Sequence, residues 1–187
     1  VVKWSARRAL GALRFSPEGY GALRYMLLAA AVILADQATK YWVRLSVPSG
    51  ASEPIIPGIL HLTHVENTGA AFGLFQGYTP ILAAITAALL LAAFFFRERL
   101  KQEKPLFHVG CALGLSGAVG NLIDRLLLGR VTDFIDLRFW PVFNVADISI
   151  TAGALLLAWA ILTGPKRPGE SPPPETPADD GERPADG

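Results

Sequence analysis

The sequence predicts an all-α integral membrane protein: four transmembrane helices with a small extracytoplasmic β element between helices 1 and 2. Three observations carry this. Four apolar runs are each long enough to cross a bilayer, which takes about 20 residues at 1.5 Å each. The chain is 51% apolar, with only 18% of residues charged, where a soluble domain carries about 25%. Between the first two runs, prolines, glycines and a β-branched stretch replace the helical pattern.

The first 21 residues form a basic segment carrying Lys3, Arg7, Arg8 and Arg14 against Glu18. The apolar run that follows shows no convincing small-residue cleavage site, so it reads as an uncleaved first helix over 22–46. Pro48, Pro54 and Pro57 then break any helix. The stretch Ile59–Val65 reads as a strand within an outer element of about 48–78. The segment from Glu66 to Phe75, with Gly69 and Gly73, suits backbone packed close to something else.

Three further spans cover 80–96, 106–128 and 147–163. The third has Gly110, Gly114, Gly117 and Gly120, small residues that let helices approach closely. Residues 164–187, with seven prolines and six acids, have too little to bury and read as a disordered tail. The four-helix membrane unit is therefore 22–163.

Lys and Arg in the loops set orientation. Twelve lie on the side of the termini and the loop after span two; Lys40, Arg44, Arg125, Arg130 and Arg138 lie on the other. Both termini are thus expected in the cytoplasm, with the β element facing out. Net charge is +1, which implies no bulk attraction to nucleic acid. One cysteine, Cys111, makes neither an internal disulfide nor a metal cluster.

Ionisable groups in membrane helices are costly and usually functional. Asp36 and Lys40 are four apart in the favourable order for an ion pair. Asn-x-x-Asp occurs twice, as Asn121–Asp124 and Asn144–Asp147. Asn144 and Asp147 also suit a helix cap and its N3 partner. Asp124 sits near a helix C-terminus, where the dipole disfavours negative charge. Asp147, on the neighbouring antiparallel helix, is its expected partner. Two such carboxylates share one proton and can act as general base and general acid in peptide hydrolysis, without metal or cofactor. Asn121 and Asn144 could orient them or bind a developing oxyanion.

Rival sites are weaker. Gly114-Leu-Ser-Gly117 has the look of a serine-protease motif, but His108 lies about 12 Å along the helix from Ser116, and Ser116 reads as packing. His61 and His64 point to opposite faces of a strand, and His-Glu-x-x-His is absent. A proton relay through Asp124 and Asp147 in a small proton-coupled transporter is the alternative. It wants charges near mid-membrane and an inverted repeat, and neither is visible.

Five stretches together resemble lipoprotein signal peptidase, signal peptidase II. They are Asp36-Gln-x-x-Lys40, Asn67-Thr-Gly-Ala-Ala-Phe72-Gly, Gly120-Asn-Leu-Ile-Asp124-Arg125, Val131-Thr-Asp-Phe134 and Phe143-Asn-Val-Ala-Asp147. The resemblance spans roughly residues 25–162. It implies a bacterial inner-membrane aspartic endopeptidase with its active site near the outer face. Its substrates would be prolipoproteins, cut on the amino side of a cysteine carrying diacylglycerol, in contact with membrane lipids. Globomycin-type inhibitors are implied as ligands. Asp124 and Asp147 are expected as the catalytic pair. Asn67, Asn121, Arg125, Asn144, Asp36, Lys40, Gly69 and Phe72 fall in the supporting motifs. Ile148 departs from the family, which often has Ser after the aspartate. Gly69–Gly73 is expected to form part of a cover over the site.

Overall fold

The computed structural model describes residues 17–70, 74–100 and 103–163. The terminal segments, with the expected basic start and proline-rich tail, lie largely outside them, as does Phe72. The order is α1 (Pro17–Ser46), β1 (Ser52–Ile56), β2 (Leu60–Asn67), α2 (Thr79–Leu100), α3 (Pro105–Leu128), β3 (Val131–Asp136) and α4 (Val145–Leu162). All four helices are long and apolar enough to cross a membrane. Their outer faces show Leu34, Leu89, Phe95, Leu155 and Leu162. That is the surface a bilayer requires, since lipid, not water, covers it.

Helix ends follow local chemistry. Pro105 opens α3, where its missing N–H leaves nothing unsatisfied. Gly129 closes it in the left-handed region at φ 71°, its N–H donating to Arg125 O. Glycines set how closely the helices pack. A Cβ added at Gly153 of α4 would lie 2.5 Å from Gly114 N, and one at Gly110 would lie 3.1 Å from Gly153 O. One at Gly120 would lie 2.6 Å from Asp36 Oδ2 on α1. The glycine face expected of α3 is therefore used, against two helices.

The β element is larger than the sequence suggests. β1 and β2 form an antiparallel hairpin between α1 and α2, with Gly58 at φ 75° in its turn. β2 then pairs antiparallel with β3, which follows α3, to give the order β1-β2-β3. The α3–α4 connection is thus a third strand rather than a plain loop. Val43 and Val47 of α1 bury against Phe134 of β3, with Leu62, Ile135 and Val145 alongside. This small core seals the sheet onto one end of the bundle, where α1 and α3 end and α4 begins.

Candidate active site

A cavity of about 560 Å³ opens between the sheet and the ends of α3 and α4. Asn67, Asn121, Arg125, Asp133 and Asp147 bring polar groups to its wall. Each arrives by a different element: Asn67 ends β2, Asp133 is central in β3, Asn121 and Arg125 are one turn apart on α3, and Asp147 begins α4.

Asp147 does two jobs. Asn144 caps α4 by accepting the Asp147 N–H at 3.0 Å, and Asp147 Oδ2 accepts the Asn144 N–H at 3.1 Å, a reciprocal capping box. The other oxygen, Oδ1, accepts Asn121 Nδ2 at 2.8 Å. The cap therefore also aims the carboxylate into the cavity.

Three asparagines are fixed in orientation by donors that only an oxygen can meet. Lys40 Nζ donates to Asn121 Oδ1 at 2.9 Å, which turns Asn121 Nδ2 toward Asp147. The Asp147 N–H holds Asn144 Oδ1, which turns Asn144 Nδ2 to Asp133 Oδ1 at 2.6 Å. The Gly69 N–H holds Asn67 Oδ1, which turns Asn67 Nδ2 to Asp133 Oδ2 at 2.9 Å. Every amide thus points its NH2 at a carboxyl group. Asn144 links the two acids, one through its backbone and one through its side chain.

Burial pushes Asp133 up to about 7 from 3.8. The charge of Asp147 adds to the rise, against the opposing pull of Asn67, Asn144 and Lys40. Asp133 and Asp147 are therefore close enough to feel one another.

Asp124 does not face Asp147 across this cavity, contrary to the pairing expected from the sequence. It is 1% exposed and turned toward α1. Lys40 Nζ lies 3.3 Å from its Oδ2 and 2.9 Å from Asp36 Oδ2, so one buried ammonium serves two carboxylates. Thr132 N–H donates to Asp124 Oδ2 at 3.0 Å, and Gln37 Nε2 to Oδ1 at 3.3 Å. Arg44 adds a more distant contact at 3.9 Å. The unfavourable helix dipole is offset by these groups. Asp36 is equally enclosed, accepting the Ala146 N–H at 2.9 Å and so tying α1 to the first turn of α4.

Among the remaining expected residues, Arg125 Nη2 donates to Gly69 O at 3.2 Å. A Cβ at Gly69 would lie 2.5 Å from Leu74 O, so only glycine fits that close backbone. Ser116 is buried and its hydroxyl donates to Leu113 O, as a packing residue's would. His108 stacks on Tyr25, and His64 is buried against Val47 O. Among the described residues no group of three or more His, Cys, Asp or Glu could hold a metal.

Comparison with known proteins agrees with this architecture. A family described as signal peptidase (SPase) II matches residues 28–163. A lipoprotein signal peptidase of Moorella thermoacetica is 43% identical over 79% of this chain and 99% of its own length. One of Staphylococcus aureus is 38% identical over 73% of this chain and 86% of its own. A bacterial membrane enzyme solved by the in meso method at 2.3 Å resolution superposes with a TM-score of 0.70. It is 35% identical, over 80% of this chain and 93% of that one. With four spanning helices, a matching fold and a family match over most of its length, the chain belongs to the signal peptidase II family.

Proposed function

We propose that this membrane peptidase removes signal peptides from lipoprotein precursors by aspartic chemistry, with Asp133 and Asp147 as the catalytic pair. The observation that carries the pairing is that these two acids line one cavity and share Asn144, while Asp124 is enclosed with Lys40 and Asp36. Burial favours the protonated form of Asp133, which makes it the general acid of the pair. Asp147 is then the carboxylate that activates water.

Water attacks the scissile carbonyl as Asp147 takes its proton. Asp133 donates its proton toward the carbonyl oxygen as charge develops there. Proton transfer to the peptide nitrogen then lets the C–N bond break, releasing a carboxylic acid and an amine. Asn67, Asn121 and Asn144 hold the acids at fixed orientations, so little reorganisation accompanies each step. Lys40 and Asp36 act further back, by fixing Asn121 and α4.

The expected substrate is a prolipoprotein cut on the amino side of a diacylglyceryl cysteine. Charge distribution supports cytoplasmic termini and a cavity opening at the outer face, where a signal-peptide helix would present its end. Globomycin-type peptides would compete for the same cavity. The transporter alternative loses its relay, since Asp124 lines neither described cavity and is held by Lys40.

The test is cleavage by purified protein in detergent of one precursor with and without diacylglycerol, with the new N-terminus read by mass spectrometry. Cleavage before the cysteine of the lipidated form alone is expected. Equal cleavage of both forms would remove the lipid requirement, and no cleavage by folded protein would remove the function.

A further inference from the structure

A second cavity, of about 610 Å³, lies between α2 and α3. Among the described residues, Thr68 and Arg125 alone belong to both cavities, so the two meet at that pair. At the junction the wall is polar, with Thr68, Thr79 and Arg125. Away from it the wall is apolar and narrow-chained, formed by Ala83, Ala84 and Ala87 of α2 with Leu126 of α3. From Thr79 to Ala87 the groove descends about 12 Å along the helix.

This gap has a physical signature. α2 carries large side chains at Ile81, Ile85 and Leu89, all exposed on its outer surface. Toward the groove it has only methyl groups at three positions within two turns. A helix pair packed for stability fills such space with side chains; an apolar gap in a bilayer takes hydrocarbon instead. Arg125 lines this mouth while its Nη2 is held by Gly69 O, so a guanidinium stands beside an apolar slot.

We infer that this groove receives an acyl chain of the substrate's diacylglyceryl group, an inference that rests on the proposed lipoprotein cleavage. The geometry follows from the substrate. Its thioether sulfur lies one residue side chain from the bond being cut. The lipid must therefore leave the catalytic cavity within a few atoms of Asp133 and Asp147. The Thr68–Arg125 junction is an exit with a polar mouth for the glycerol esters and an apolar slot below for a chain. Moving a chain from lipid to this slot gains little by transfer. The slot therefore sets the position of the scissile bond more than affinity, and its loss falls on kcat rather than KM.

Two precursors that differ only in their acyl chains, palmitoyl or butyryl, test this. Ala87→Phe fills the slot, and Ala84→Leu narrows it; Leu89→Phe, on the exposed face of α2, is the control. Ala87→Phe is expected to lower kcat for the palmitoyl precursor roughly tenfold to a hundredfold, with the butyryl precursor within about twofold. Equal slowing of both precursors, or of neither, overturns the inference but leaves the lipoprotein reading intact. Absence of cleavage by the wild type would overturn that reading itself.

A second measurement needs no bulky variant. A palmitoyl precursor with a diazirine in one chain is photolysed on Asp147→Asn protein, beside a phospholipid carrying the same diazirine. Labelling of 83–87 and Leu126 by the precursor, in excess of the phospholipid, is expected. Equal labelling by both would make the groove a seat for resident lipid and overturn the assignment.

Discussion

Lys40 shows how one residue can hold a site it does not enter. Its ammonium is fully buried, contacts Asp36 and Asp124, and fixes the amide of Asn121. Removing one partner of a buried ion pair leaves charge uncompensated, at about 3–5 kcal/mol. Asp36 remains beside Lys40, so Asp124→Asn is expected near the lower end, about 3 kcal/mol, seen as a lower unfolding temperature in detergent. Asp133 behaves oppositely. Its proton is bound more tightly in the folded protein, so its contribution is complete below pH 3.8 and is lost as pH rises through about 7. Between pH 4 and 8 the wild type should therefore lose unfolding temperature relative to Asp133→Asn. Cleavage by the wild type should fall as pH rises through about 7, because the general acid loses its proton. A rate that rises across that range would contradict the assignment of the proton to Asp133.

These residues also show what was readable from sequence. Asn67, Asn121, Arg125 and Asp147 line the cavity, and Asn144 bonds to Asp133, which also lines it. Asp133 lies in the stretch Val131–Phe134, to which spacing alone assigns no role. Helix spacing and dipole arguments speak to α3 and α4, and Asp133 is on neither. Its available signal was an acid within the otherwise apolar run Val131, Phe134 and Ile135. The charge that compensates Asp124 is Lys40, on α1 and distant in the chain. Spacing within one helix cannot reveal a partner on another.

At the scale of elements, the α3–α4 contact sets the distance between Asn121 and Asp147. It depends on glycines that are not interchangeable. A Cβ at Gly153 meets backbone of α3 at 2.5 Å, whereas one at Gly114 meets nothing within 4 Å. Gly153→Ala should cost about 1–3 kcal/mol by overpacking, and Gly114→Ala should be neutral or stabilising by up to about 1 kcal/mol through helix propensity. Parallel thermal unfolding of the two variants checks the contrast. Helix existence was legible because hydropathy marks spans strongly. β3 was not, since its six residues joining two apolar segments pair with a strand far back in the chain. Register of that kind is tertiary information.

For the whole molecule, the fold divides labour between two environments. Four helices face lipid with apolar side chains, and the sheet closes one end over a polar cavity. The acids are thus taken out of bulk water without being placed in hydrocarbon. The charge count predicts an outward-facing sheet and cytoplasmic termini. Cysteine labelling from either side of intact cells would check them: a cysteine introduced at the exposed hairpin residue Ile59 should react with an impermeant reagent from outside.

The pairing of Asp133 with Asp147 is the centre of this account. Its most direct test compares Asp133→Asn, Asp147→Asn and Asp124→Asn for cleavage of a lipidated precursor. Rates are scaled to the folded fraction, measured by thermal unfolding of the same samples. Asp133→Asn and Asp147→Asn should each lose at least about a thousandfold while remaining folded, and Asp124→Asn should lose stability but keep cleavage per folded molecule. Full activity in folded Asp133→Asn, with activity abolished in folded Asp124→Asn, would contradict the account and return the catalytic role to Asp124.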